Sequence, residues 1–154
     1  MSEVRVRLFQ PGDAEAFRRL NEEWIERYFR LEEKDRKMLG NPQGQILDPG
    51  GAILVAEADG AAVGCCALIL SSPDTFELAK MAVTDAYQGR GLGRKLLAAA
   101  IETARSMGAS RLFLETNSRM TPAVRLYESM GFMHAARVRQ SDYDRSDVYM
   151  ELPL

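Results

Sequence analysis

The chain has 154 residues, 46% hydrophobic and 27% charged, the profile of one soluble globular domain with enough apolar side chains to bury a core. Its twenty Lys and Arg against twenty-two Asp and Glu leave a net charge of -2, which argues against nucleic acid as a main partner. A single histidine, His134, excludes a histidine-rich metal site.

Residues 1–7 lack the apolar centre of a signal peptide. Residues 4–9 alternate around Arg5 and Arg7 and read as a strand. Gln10-Pro11-Gly12-Asp13 is a turn, with Asp13 placed to cap the next helix. Over 14–31 the residues Ala16, Phe17, Leu20, Trp24, Ile25, Tyr28 and Leu31 keep a helical period. A short helix is expected over 32–39, its mixed run from Glu32 to Lys37 reading as a solvated face. Residues 40–51, rich in glycine and proline, read as a loop. Strands follow at 52–57 and 62–70, joined by Asp59-Gly60, a strong hairpin signal. Cys65 and Cys66 are neighbours in the second of these, so they point to opposite faces and read as small buried hydrophobes of a reducing compartment. The apolar run 61–70 is too short to span a bilayer, and a cytoplasmic location is expected.

After a turn at 71–74, a strand over 75–83 meets Gly89, Gly91 and Gly93, which lead straight into an apolar-periodic helix over 92–107 ending at Gly108. Glycine within a helix costs about 1 kcal/mol against alanine. Arg94 and Lys95 put positive charge in a first turn that the helix dipole disfavours. Local rules broken together at a strand–helix junction mark a functional site, and a bound polyanion would reconcile them. A dinucleotide fingerprint fails, because its last glycine falls on Arg94 or Leu96. A P-loop fails as well, with Gln88, Arg94 and Lys95 at its defining positions. What stands is Q-x-x-G-x-G, from Gln88 to Gly93.

A strand over 111–116 precedes Thr121-Pro122, which opens a helix ending before Gly131. Closing strands are expected at 132–139 and 147–152 with a polar loop between. The order β, α, α, β, β, β, α, β, α, β, β implies a mixed, mostly antiparallel sheet with helices packed on it. No repeat or linker divides the chain, so residues 1–154 read as a single domain.

The loop from Gln88 to Gly93 resembles the coenzyme A pyrophosphate loop of the GNAT family of N-acetyltransferases. The stretch from Ala123 to Phe132 resembles that family's second signature, A-x-x-L-Y-x-x-x-G-F. The resemblance spans nearly the whole chain, is strongest over 51–132 and is weak before 40. It implies an α/β acyl-CoA N-acyltransferase fold of about seven strands with helices on both faces. It further implies acetyl-CoA as acyl donor, no metal, and direct attack by a primary amine in a ternary complex. Backbone groups of Met81, Ala82 and Val83 would take the pantetheine arm and thioester oxygen. Gln88, Gly89, Arg90, Gly91, Leu92, Gly93 and Arg94 would hold the pyrophosphate.

By the same resemblance Tyr127 is the general acid, a role open to a phenol that is protonated at neutral pH. On spacing alone it reads more readily as core, sharing a helical face with Ala123, Leu126 and Met130; the glycine loop upstream turns the balance to the acid. The resemblance implies a glutamate base on either strand, or none; Glu77 ranks slightly ahead, with Glu115 as substitute. Glu77 shares a face with Ala79, Met81 and Val83 if no bulge intervenes. Met120 stands where many relatives carry an asparagine for the pantetheine, and Asn117 nearby is the substitute. The acceptor pocket would draw on Trp24, Tyr28 and Phe29 and on 141–147 with Tyr143 and Arg145. The bland alternatives are core packing for Trp24 and Tyr28, solvation for Tyr143 and an ordinary strand residue for His134. The mid-strand cysteines lack a partner base, so no acyl-enzyme is expected. Transfer of another acyl group, or a non-catalytic acyl-CoA binding module, are the rival readings. The acceptor, a small-molecule or peptide amine, is left open, as is a homodimer; no nucleic acid or membrane partner is expected.

Overall fold

A computed structural model describes residues 3–136 and 141–154. Its strands are β1 (Arg5–Leu8), β2 (Ala52–Ala58), β3 (Ala61–Ser72), β4 (Thr75–Val83), β5 (Arg111–Thr116), β6 (Met133–His134) and β7 (Val148–Pro153). The α-helices are α1 (Ala14–Tyr28), α2 (Glu33–Gly40), α3 (Leu92–Ser106) and α4 (Thr121–Ser129). The strands form one seven-stranded sheet in the order β1-β2-β3-β4-β5-β7-β6, antiparallel throughout except between β4 and β5. Among the described residues no helix is long and apolar enough to cross a membrane.

The expected elements recur with shifted ends. At the β2–β3 hairpin Asp59 and Gly60 both take positive φ, 53° and 78°, as a tight two-residue connection requires. Helix α1 stops at Tyr28, short of residue 31, because Phe29 turns extended and donates its N–H to the Ile25 carbonyl at 2.7 Å. Asp13 stands at the start of α1 but does not cap it. Its carboxylate is drawn off by the Arg7 guanidinium at 2.8 and 3.0 Å. The glycine-rich stretch after α2 is not a plain loop, since Gln43–Leu47 coils into one π-helical turn that buries Ile46. Strand β3 runs on through Ser72, two residues into the expected turn. Of the strand expected at 132–139, β6 covers Met133–His134, and 137–139 lie outside the described residues.

Alternation along β2 and β3 sends apolar side chains to both faces, so each face of the sheet carries a core. On one side Leu54, Cys66, Leu68 and Leu78 meet Leu92, Leu96, Leu97 and Ala100 of α3. On the other Ile53, Val55, Cys65 and Ala67 meet Phe17, Leu20 and Ile25 of α1 and Met38 and Leu39 of α2. The two cysteines thus part to opposite layers, as their adjacency requires. Leu96 and Leu97 are both wholly buried. Each contributes about 2–3 kcal/mol of transfer free energy, which fixes α3 on the sheet.

The sheet is incomplete where β4 meets β5. Their parallel ladder holds only Thr75 to Arg111, Phe76 to Leu112 and Glu77 to Phe113, after which the strands diverge. From Leu78 onward the β5-facing edge of β4 therefore has no strand partner. On its other edge, Ala79 lies opposite Ala67 and Ala82 opposite Cys65, so Lys80 and Met81 share the place across from Cys66. This is a β-bulge, and Lys80 sits in it at φ +56°. The bulge overturns the simple alternation. Met81 and Val83 face the α3 layer with Phe76 and Leu78. Glu77, Ala79 and Ala82 face the layer of α1 and α2, so Glu77 does not share a side with Met81 and Val83.

Candidate active site

Past Val83 the chain makes a 3-10 turn at Asp85–Tyr87 and enters α3 through the glycines. The Gln88 amide folds back, its Nε2 donating to the Val83 carbonyl at 3.0 Å. Asp85 is held from α1 by a two-point pairing with Arg27. Gly89 and Gly91 take φ of +77° and +78°, and a Cβ on either would meet nothing within 4 Å. The backbone conformation demands glycine there, and the space beside it is open. Gly93 serves a different end: a Cβ on it would stand 3.3 Å from Leu126 Cδ2, so it sets how closely α3 approaches α4.

The amides from Gly89 through Arg94 have no acceptor among the described residues; the first to find one is Lys95, which donates to the Gly91 carbonyl at 3.2 Å. No side chain caps α3. A row of free N–H groups at the positive end of a fifteen-residue helix is suited to a multiply charged anion. Arg90 lies on the Tyr87 ring, 5.0 Å from its centroid, and Arg94 reaches Ser129 Oγ at 2.8 Å. Both are exposed at the rim rather than in the walls.

The loop opens into a cleft of about 410 Å³ in the wedge between β4 and β5. It brings together Glu77, Met81, Ala82, Val83, Gln88, Gly89, Gly91, Leu92, Gly93, Glu115, Asn117 and Tyr127. Tyr127, on α4, sets its ring edge-on to Phe132 at 5.9 Å, and burial pushes its phenol up to about 12. It is therefore a proton carrier at neutral pH, and its hydroxyl has no hydrogen-bond partner among the described residues. Burial also raises Glu77 above the usual carboxylate range. Glu115 and Asp142 add to this, while Lys34 and Lys80 oppose it. Glu115 accepts from Ser141 Oγ at 2.6 Å. Asn117 is largely committed to its own loop, donating to the Arg145 carbonyl at 2.7 Å and accepting from the Arg119 N–H at 2.8 Å. Met120 stands at the start of α4 beside the cleft.

Trp24 and Tyr28 are half-buried and line the cleft, packed against each other at 4.5 Å. His134 lies outside it, exposed and paired with Glu128 at 3.0 Å. Among the described residues no cluster of His, Cys, Asp and Glu is built to hold a metal ion.

The wall of the cleft away from the glycines rests on a buried ionic network. At its centre is Asp35, with no exposed side-chain surface. It accepts from Lys80 Nζ at 2.7 Å, from Arg145 Nη1 and Nη2 at 2.7 and 2.8 Å, and from the Glu32 N–H at 2.9 Å. These donors outweigh its burial and hold its carboxyl at about 2. Lys80 also donates to the Tyr143 hydroxyl at 2.9 Å, and the ring of Tyr143 lies 4.6 Å from Lys80 Nζ and 4.4 Å from the Arg145 guanidinium. Tyr143 is thus no solvated loop residue, and the run from Glu32 to Lys37 is not wholly a solvated face. The signal was present: Asp35 stands three and four residues before Met38 and Leu39, hence on the helix's buried side.

The match to known proteins agrees with this geometry. The sequence model of the acetyltransferase (GNAT) family covers residues 14–132. An uncharacterized N-acetyltransferase of Escherichia coli K12, YjgM, is 43% identical over 89 residues, which are 56% of this chain and 53% of that protein. The chain thus spans about half the length of that relative. The crystal structure of a GNAT-family acetyltransferase from Staphylococcus aureus Mu50 superposes with a TM-score of 0.88 at 19% identity, covering 98% of this chain and 99% of that one. The structure of yncA from Salmonella typhimurium, a putative acetyltransferase with its cofactor acetyl-CoA, superposes at 0.78 with 24% identity, over 97% and 93% of the two chains.

Proposed function

Because the chain belongs to the GNAT acetyltransferase family, we propose that it moves the acetyl group of acetyl-CoA to a primary amine by direct attack in a ternary complex. The observation that carries this is the row of unpaired amides from Gly89 through Arg94 at the start of α3, opening onto the cleft. Those donors suit the pyrophosphate of coenzyme A, and the rim cations Arg90 and Arg94 add long-range attraction. The partnerless edge of β4 at Met81, Ala82 and Val83 suits the amide-bearing pantetheine arm.

When bound, the coenzyme supplies a thioester carbonyl activated towards acyl transfer. Backbone N–H groups on the β4 edge polarise that carbonyl and stabilise the charge its oxygen gains. Glu77, directly or through one water, takes the proton the amine must lose before it attacks. As the N–C bond forms and the C–S bond breaks, Tyr127 donates its proton to the departing sulfur. Glu115 is the alternative base, its contact with Ser141 making it the less available of the two. An acyl-enzyme is disfavoured by burial: Cys65 and Cys66 are enclosed, and the Cys65 thiol is pushed up to about 12.

The direct test is thiol release from acetyl-CoA across a panel of amines, with mass identification of the acetylated product. An N-acetyl product formed without a covalent enzyme species supports the reading. Coenzyme binding with no amine acetylated would favour an acyl-CoA binding module instead.

A further inference from the structure

The half of the cleft beyond the donor loop is bridged on its outer side by side chains that acetyl transfer itself does not use. One closure is the Asp35 network, which pins the segment from Ser141 to Asp147 onto α2. Two further links reinforce it: Lys34 pairs with Asp142 at 2.7 Å, and the Asp144 N–H donates to Glu32 at 3.1 Å. The other closure is Arg119, in the connection between β5 and α4. Its Nη2 donates to the Tyr28 carbonyl at 2.7 Å, and its guanidinium lies 4.9 Å from the centroid of Phe29. Arg119 is thus a strap from one bank of the cleft to the end of α1 on the other.

Inside these closures the walls are of two kinds. Trp24 and Tyr28 present aromatic surface and Glu77 and Glu115 present carboxylates, while the lining cations Lys80 and Arg145 are held by Asp35. Such a lining receives an ammonium carried on an apolar body. Space is limited as well: the whole cleft, with the portion the donor arm must share, holds about 410 Å³. That lies towards the lower end of ligand pockets, about 300–1,000 Å³.

We propose that the acceptor is a small primary amine with an apolar body, held between Trp24, Tyr28 and the two glutamates. Arg119 and the pinned segment exclude polypeptide, because they close the side by which a chain would lead away from its reacting amine. The inference rests on the acetyl-transfer reading and adds the acceptor class. It makes Arg119 a specificity residue: it touches the chamber's wall, not the reacting atoms.

Thiol release from acetyl-CoA tests this with 2-phenylethylamine and cyclohexylmethylamine against hexapeptides bearing either a free α-amine or one lysine. In the native protein kcat/KM for the better small amine should exceed that for any peptide by at least about tenfold. Arg119→Ala should narrow that ratio by about fivefold, the factor carried by one net hydrogen bond. Trp24, the single tryptophan, should in the same variant become more accessible to acrylamide quenching. A peptide turned over as well as the small amines, or a ratio unmoved in Arg119→Ala, overturns the proposal. No thiol release with any amine, from protein that binds acetyl-CoA, refutes acetyl transfer instead, and Trp24 quenching then decides the strap alone.

Discussion

Replacing Asp35 by asparagine keeps the shape of the side chain and removes one charge at the centre of the buried network. The Lys80 side chain is 4% exposed and that of Arg145 20%, so neither cation can turn fully to water when its anion is lost. Breaking a buried ion pair from one side costs about 3–5 kcal/mol, far above the worth of an exposed pair. In a chain of this size the melting temperature should fall by about 10 °C. Urea unfolding of the two proteins measures the difference, and its pH dependence checks the cause. The Asp35 carboxyl is lowered from the ordinary 3.8 to about 2, so its stabilisation is complete above the unfolded value and is lost as pH falls through the folded one. The gap between native and Asp35→Asn should therefore stay level from pH 8 to about pH 5 and narrow between about pH 4 and pH 2. Adding Lys80→Met to Asp35→Asn should recover part of the loss, because it removes one of the stranded charges. A cost below about 1 kcal/mol would refute the view that Asp35 is the keystone of that wall.

Three further outcomes are expected. Tyr127→Phe should bind coenzyme A with unchanged affinity by calorimetry yet lose about 100-fold in kcat, as removal of a general acid does; unchanged turnover would remove Tyr127 from the chemistry. Glu77 must be ionised to act as base, and burial raises its pKa. The kcat/KM profile should therefore fall as pH drops through a point above the usual carboxylate range, and Glu77→Gln should abolish that limb. A limb that survives in the variant would transfer the role to Glu115. Gly91→Ala forces a side chain into φ +78°, costing about 1–2 kcal/mol in denaturant melts, and should also weaken coenzyme A binding by crowding the open side of the loop.

The glycine turn that opens α3 was legible in the sequence because it breaks local rules. Glycines and cations at the start of α3 run against its propensity and its dipole, while the left-handed conformation of Gly91, φ +78°, was not specified by the sequence. Likewise Asp59-Gly60 spelled its hairpin, and the period of Leu92, Leu96, Leu97 and Ala100 gave the buried face of α3. Less visible was whatever depends on pairing across the sheet. A bulge is a mismatch between two strands, and Lys80 has no local signature for a positive φ. Expecting Met81 and Val83 beside Glu77 followed from unbroken alternation and failed at that one residue. The acceptor wall was legible in part: Trp24, Tyr28, Phe29, Tyr143 and Arg145 do line the cleft, but the burial that Asp35 shares with Met38 and Leu39 was passed over, and its partners Lys80 and Arg145 are distant in the chain.

The extra residue in β4 acts on everything that follows it. With Lys80 counted in, the chain reaches Val83 turned toward the α3 layer and delivers the glycines to the mouth of the wedge. Were the bulge smoothed out, with Lys80 alone paired opposite Cys66, the strand's remaining side chains would swap inside for outside, with the helix start presented to the wrong bank. In this molecule the orientation of the donor half is an odd–even matter. Removing Lys80 would close the bulge and leave Met81, Ala82 and Val83 opposite the same partners, so the orientation rests on Lys80 being kept out of the regular pairing.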